Sequence, residues 1–366
     1  MQAERLKLGF LASANSIHSR RWITYFADRG HQVDWISLVP PDGDIPPNLA
    51  LHVVRPYPSQ PLSLLLSALR VRKLVRRLRP QLLHVHYAGV NGLVGTLSGC
   101  RPLIVTAWGS DVLVAGQTGL TRWLVRYVLR QADLITCDAT HMRQAIERLG
   151  AKAEDIRLIY FGTDTRRFSP GVPDAGLRQE LGGPAAQLII SLRSLEPIYD
   201  VETLVQAAPM VLRQHPNARF VIAGDGSQAD TLKGLVANLG LADRVRFVGR
   251  IPENKLPDYL RAADVYVSTS LSDAGLAAST AEAMACGLPV VVTDSGENRV
   301  WVKDGQNGFV VPTRDAISLA DRIVYLLDNR ALGRELGRAG RRLIEERNNY
   351  EKEMAKMEAI YRELVG

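Results

Sequence analysis

Residues 268–294 read STSLSDAGLAASTAEAMACGLPVVVTD and form a strand–loop–helix–strand unit suited to holding an anion. A Val- and Tyr-rich strand over 264–268 breaks into a polar loop carrying Ser272, Asp273 and Gly275. A helix of small residues follows, through Ala277, Ala278, Ser279 and Thr280 to Glu282. After Cys286 and Gly287, the apolar run 289–292 reads as a strand covered on both faces. The first turn of a helix offers unpaired N–H groups and a partial positive charge, which together receive phosphate. Gly275 and the alanines let a ligand approach the backbone. Glu282, one to two turns in, can accept hydrogen bonds from hydroxyls such as those of a ribose. The same small residues also suit an ordinary βαβ crossover packed on its sheet, and spacing alone leaves both readings open.

The elements that must position this unit alternate along the whole chain. In the first half strands are expected at 6–12, 31–39, 51–54, 82–86, 102–106, 134–137 and 156–160, with helices from about Ser19 to Gly30 and at 63–78, 120–129 and 141–149. Residues 161–173, FGTDTRRFSPGVP, are turn-rich and read as a linker. In the second half strands are expected at 188–192, 220–223, 245–248, 265–267, 290–292 and 309–311, and helices at 201–213, 229–239 and 256–262. From about Ala316 the chain reads as helical throughout. This alternation predicts doubly wound parallel sheets, in which ligands bind beyond the carboxyl ends of the strands. Residues 15–18 (Asn15, Ser16, Ile17, His18), the pair His86-Tyr87 and residues 108–111 then share one rim. A nicotinamide enzyme would carry GxGxxG after the first strand; Gly224-Asp225-Gly226 follows an interior strand and lacks the third glycine.

Composition narrows the class. The 366 residues, 46% apolar and 23% charged, suffice for two domains of ordinary size. The start MQAERLKLGFLAS lacks the apolar run of a signal peptide, and no apolar run reaches the length of a membrane span. Cys100, Cys137 and Cys286 are scattered without ligand or redox spacing and read as reduced thiols of a cytosolic protein, so no metal is expected. Residues 1–165 hold 20 Lys+Arg against 12 Asp+Glu, so the basic excess sits in the first half.

Six pieces of the second half resemble, in order, the donor domain of the retaining family-four glycosyltransferases of the GT-B fold. They are FGTDTRRFSP at 161–170, IAGDG at 222–226, RVRFVGRIP at 244–252, LPDYLRAADVYV at 256–267, EAMACGLPVV at 282–291 and DGQNGFVVP at 304–312. The first half matches in topology and in LLHVHY at 82–87 and TAWGSDV at 106–112. The resemblance implies an α/β protein of two Rossmann-like doubly wound domains facing across a cleft. Residues 1–165 would bind the acceptor, 166–345 the donor, and 346–366 would be a helix crossing back to the first domain. It implies that Glu282 holds the nucleotide ribose and that the N–H groups of Ala277, Ala278 and Ser279, with Gly275 and Leu276, receive the donor diphosphate. Arg193 matches the family's phosphate-binding arginine, a role suited to a guanidinium. Gly224, Arg250 and Ile251 complete the donor side, and no metal is needed because positive groups stabilise the leaving diphosphate.

Three departures stand beside that match. The family's lysine beyond the phosphate arginine aligns with Tyr199, the first of its paired acids falls at Ala274 with Asp273 one residue earlier, and the histidine opening its HGSD-like segment is Trp108. Asp273, displaced by a shifted turn, is the candidate for the sugar hydroxyls. Asp111 either orients an acceptor hydroxyl or holds the Trp108 loop, and Trp108 is either a platform for a sugar ring or core. His18 is a site candidate or a surface loop residue. His84 and His86 share one strand face, as a metal pair or, more simply, as a structural His84 with His86 at the acceptor end. Asn15, Ser16, His86, Tyr87 and Trp108 form the expected acceptor side, and His18, Trp108, Asp111 and Asp273 the expected catalytic set. The basic helix from Arg70 to Arg79 is either a solvated face or a contact for an anionic membrane, which would suit a lipid-linked or glycan acceptor at the inner face of the cell membrane. Nucleic acid is not expected, because no aromatic residues interleave with the charge. The function expected is transfer of a sugar from a nucleotide-diphosphate sugar to an acceptor hydroxyl. The rivals are a catalytically impaired nucleotide-sugar-binding partner subunit and a nucleotide-sugar epimerase on the same fold.

Overall fold

The computed structural model describes residues 4–54, 61–114, 119–273 and 275–366, the side chains of 61–63 excepted. The chain divides into two compact units, Met1–Phe161 with Glu351–Gly366, and Gly162–Tyr350.

The first unit is built on seven parallel strands: β1 (Lys7–Leu11), β2 (Gln32–Ser37), β3 (Ala50–Val53), β4 (Leu82–His86), β5 (Leu103–Thr106), β6 (Leu134–Cys137) and β7 (Ile156–Leu158). They lie in the order β3-β2-β1-β4-β5-β6-β7. Central strands such as LLHVH and LIVT are buried at every position, as sheets covered on both faces require. The covering helices are α1 (Ile17–Asp28), α2 (Pro61–Leu78), α3 (Val90–Ser98), α4 (Gly119–Gln131) and α5 (Thr140–Arg148). The order in which strands are added reverses between β1 and β4, which makes the crevice beyond their carboxyl ends the place for a ligand.

The second unit repeats the plan with α6 (Ala175–Leu181), β8 (Gln187–Ser191), α7 (Val201–Gln214), β9 (Ala218–Ala223), α8 (Ala229–Asn238), β10 (Val245–Gly249), α9 (Leu256–Ala262), β11 (Val265–Ser268), α10 (Ala278–Ala285), β12 (Val290–Thr293), α11 (Asn298–Trp301), β13 (Phe309–Val311), α12 (Ala316–Asp328) and α13 (Arg330–Arg347). Its strand order is β10-β9-β8-β11-β12-β13, all parallel, so the reversal falls between β8 and β11. The predicted α/β class with two doubly wound sheets is what the structure shows.

Pattern alone misses several features. It places no helix between β4 and β5, where α3 runs through VNGLVGTLS. Glycine weakens isolated helices, yet here it serves packing: a Cβ on Gly92 would stand 2.6 Å from Val128 Cγ1, and one on Gly95 2.5 Å from Val85 Cγ2. It also passes over α6, capped by Asp174 at Leu177 N. The C-terminal run, helical as expected, is divided into α12, α13 and α14 (Tyr350–Val365) by breaks at Asn329 and Asn348, whose backbones leave the helical region.

Helix α14 is tied to the first unit by a buried polar chain. Tyr361 Oη lies 2.6 Å from His84 Nδ1, His84 Nε2 lies 2.6 Å from Thr106 Oγ1, and Thr106 in turn meets Thr136 at 2.6 Å. Both nitrogens of His84 are thus engaged, which removes the alternative of a His84–His86 metal pair. His86 is equally buried, with Nδ1 2.9 Å from Ser19 Oγ. Burial lowers the pKa of His86 to about 3 and that of His84 well below the ordinary histidine value. Both rings are neutral in the fold but titrate near 6.5 when unfolded, so the unfolded chain binds more protons as pH falls. The contribution of His86 is complete above pH ~6.5 and drains away as pH falls toward ~3, and that of His84 weakens in the same direction. Denaturant melts at successive pH values should show the first unit weakening below 6.5, and His86→Gln should make that slope shallower.

Candidate functional site

The reversal point of the second sheet gathers the charged groups. Arg193 follows β8, Asp273 follows β11, and these strands are neighbours. Arg193 Nη2 donates to Asp273 Oδ1 at 2.5 Å and to Ser270 Oγ at 3.1 Å. The two side chains are only 8% and 9% exposed. The guanidinium carbon also sits 4.3 Å from the centre of the Tyr199 ring, a cation–π arrangement. Two departures from the sequence pattern, Tyr199 and Asp273, therefore converge on one arginine. Around them Arg193 Nε, Asp273 Oδ2, Ser191 Oγ and Ser268 Oγ are buried without a hydrogen-bond partner. Burial raises the pKa of Asp273, and Arg193 opposes that rise.

The surrounding loops are fixed by close backbone approach. Gly224, at φ +125°, lies where a Cβ would stand 2.4 Å from Arg193 O, and a Cβ on Gly226 would stand 2.4 Å from Leu195 O. Beside them a cleft of about 530 Å³ is lined by Leu192, Ser194, Gly224, Arg250 and Ile251, among others. No side chain caps the N-terminus of α10, whose N-cap residue is Ala277. Ser279 in its first turn bonds the Tyr266 hydroxyl of β11 at 2.8 Å. Gly275 and Ala277 are buried, Leu276, Ser279 and Glu282 half-buried, and Ala278 exposed. Ala274, where the family's first acid aligns, lies outside the described residues.

The rim of the first unit is different in character. Asp111 is fully buried, with Oδ2 accepting from Ala88 N at 2.7 Å and Oδ1 from Trp108 N at 3.0 Å. It staples the Trp108 loop, which decides between the two roles open to it, and it presents no carboxylate to an acceptor. Burial raises its pKa against the bonds from backbone N–H groups. Trp108 is half-buried and stacks on Phe161 at 4.9 Å; His18 stacks on Phe161 at 5.1 Å. Burial, then Arg21, lower the pKa of His18. Ser16 caps α1 by accepting from Ser19 N at 3.1 Å, and Asn15 Oδ1 accepts from Asp42 N at 3.0 Å. Tyr87 adopts φ +84° and brings its hydroxyl 3.4 Å from Ser110 Oγ. His86 lies beneath this rim, 5.3 Å from the Trp108 ring, with its Nε2 unpartnered.

Two family models match the chain, Glycosyl transferases group 1 over residues 178–343 and Glycosyl transferase 4-like over 7–139. The D-inositol 3-phosphate glycosyltransferase of Thermobispora bispora is 30% identical over 325 residues, 78% of this chain and 75% of that protein. The chain belongs to the group 1 glycosyltransferases. Along most of its length it also resembles the N-acetyl-alpha-D-glucosaminyl L-malate synthase of Bacillus anthracis, at 27% identity over 93% of this chain and 91% of that protein. The fold is that of Anabaena Alr3699/HepE in complex with UDP, at TM-score 0.84 and 20% identity over 98% of this chain and all of that one. This likeness makes the fold of the glycosyltransferase GT-B.

Sequence reasoning passed over Phe161, read as linker, and Gly296. At φ +53°, a Cβ on Gly296 would fall 2.0 Å from Asp273 O, so only glycine lets the β12 loop support the acid. Gly305 has φ +71° with nothing near its missing Cβ. Gly305→Ala should therefore cost only the backbone penalty of about 1–2 kcal/mol, whereas Gly296→Ala should cost clearly more. Thermal melts of the two variants would separate them; equal losses would show that the Asp273 loop does not lean on Gly296.

Proposed function

We propose that this glycosyltransferase moves a sugar from a nucleotide-diphosphate sugar to an acceptor hydroxyl with retention at the anomeric carbon and without a metal. The observation that carries the reading is the buried Arg193 guanidinium at the sheet reversal, its Nε without a partner, beside an α10 N-terminus that no side chain caps. A guanidinium and a helix N-terminus are two solutions to holding the same diphosphate. The nucleoside then lies in the cleft by Arg250 and Ile251, with Glu282 on the ribose. The C1–O bond to the phosphate breaks as the acceptor oxygen bonds C1 on the same face, and the acceptor proton passes to the departing phosphate oxygen. The protein's share is positioning and charge stabilisation. Family membership sets aside the epimerase rival, leaving the impaired binder as the alternative to test.

UDP-, GDP- and ADP-sugars should be screened in EDTA for protection against thermal unfolding, since a ligand at ~100 times its Kd stabilises by about 2.7 kcal/mol. One of them should protect, Glu282→Ala should abolish the effect, and slow nucleotide release should follow. Binding without release in the presence of lipid or glycan acceptors would make the chain a binder. No protection would show the donor site to be misplaced.

We extend the reading to an acceptor at an anionic membrane surface. From Ile45 to Ser110 the sequence contains no Asp or Glu but eight Lys and Arg. On α2 the basic residues share the helix with exposed Leu65, Leu66 and Leu69, at 53%, 41% and 53%. Among the described residues no helix is long and apolar enough to cross a membrane; what α2 offers is an interfacial face. Vesicles with 30% phosphatidylglycerol should sediment the protein and purely zwitterionic ones should not. Leu65→Ser with Leu69→Ser should release it, and retention by the double variant would rule α2 out.

A further inference from the structure

The Arg193–Asp273 pair is incomplete in a way that points beyond an ordinary ion pair. An arginine and a carboxylate that exist to hold each other usually meet through two parallel hydrogen bonds. Here one guanidinium nitrogen, Nη2, serves both Asp273 Oδ1 and Ser270 Oγ, while Arg193 Nε and Asp273 Oδ2 are buried with no partner. Leaving buried polar atoms unpaired is costly, and two of them in one contact mark a site unsatisfied as it stands. Charge counting gives the same answer. Tyr199 stands where the family pattern has a lysine, and its ring covers the guanidinium without adding a cation. One cation therefore faces one anion. A diphosphate arriving with Asp273 still in place would set two anions against a single guanidinium.

We propose that Asp273 is the counter-ion which the donor's diphosphate displaces from Arg193, and that the displaced carboxylate thereby becomes free to take the sugar hydroxyls. This rests on Arg193 being the phosphate site. The exchange does two things. Arg193 stays paired, and so buried and in position, when the site holds no donor. It also favours the intact nucleotide sugar over the bare nucleotide diphosphate, because only the former gives Asp273 a new partner. A nucleotide diphosphate alone must separate the ion pair and leave the acid stranded in a half-buried loop, which assists release of the spent product.

The test titrates UDP, GDP and ADP, and the corresponding glucose nucleotides, into the wild type, Asp273→Asn and Arg193→Gln, with thermal melts to establish that each is folded. Asp273→Ser stands in should the amide distort the loop. The nucleotide diphosphate that binds should bind Asp273→Asn about tenfold more tightly, since one like charge has been removed from a partly buried site, while sugar transfer slows by at least about tenfold. The wild type's preference for nucleotide sugar over nucleotide diphosphate should shrink in that variant. Tighter product binding with slower turnover is a split that a merely structural carboxylate does not produce. A folded Asp273→Asn that binds the nucleotide diphosphate no more tightly than wild type overturns the exchange while leaving the phosphate site standing. Arg193→Gln should bind at least tenfold more weakly; undiminished affinity there overturns the phosphate site itself, and the exchange with it.

Discussion

A guanidinium does not lose its proton inside a protein, so a buried arginine has to be answered by negative charge at all times. Arg193 sets that condition for the second unit, and the groups around the sheet reversal meet it together. Asp273 supplies the charge, Ser270 takes a second hydrogen bond, and Tyr199 covers the planar face. Only a parallel sheet makes this gathering cheap. Its strands all finish on one side, so the loops after β8, β9, β11 and β12 meet without long excursions. Their crowding explains Gly224, Gly226 and Gly296, each standing where a side chain would strike a neighbouring loop's backbone.

The first unit has the same strand order around its own reversal, yet its buried polar groups are turned inward. Asp111 pins the Trp108 loop to the chain after β4, His84 joins Tyr361 to Thr106, and Ser16 closes the end of α1. The rim also carries stacked rings, His18 and Trp108 on Phe161. Such aromatic faces differ in kind from the charged groups gathered in the second unit. One topology thus carries two kinds of surface, decided by which loop residues are consumed in holding the loops.

Much of this was open to reading from sequence because parallel strands buried on both faces leave unbroken apolar runs, and LLHVH, LIVT and VVVT announce themselves. Helix α3 did not, since Gly92 and Gly95 look like breakers until Val128 and Val85 are seen to occupy the space beside them. Asp111 could be narrowed to two roles by its place after a strand, but choosing between them required knowing that Ala88 N lies within its reach. The meeting of Arg193 with Asp273 was hidden for a topological reason. Eighty residues separate them, and they become neighbours only because β11 pairs with β8, an order that periodicity cannot supply.

That pairing also gives two apparently unrelated departures a common explanation. Taken singly, a tyrosine in place of a lysine and an acid one position early each look like damage to a donor site. Taken on the same arginine they compensate. With a lysine present, the site would carry a further positive charge beside Arg193. With Tyr199 instead, the Asp273 carboxylate answers the charge of Arg193 alone. Changing only one of the two would leave either an unpaired buried cation or an excess of it, both expensive where solvent is excluded. The departures are therefore one coupled alteration in how the site holds its charge.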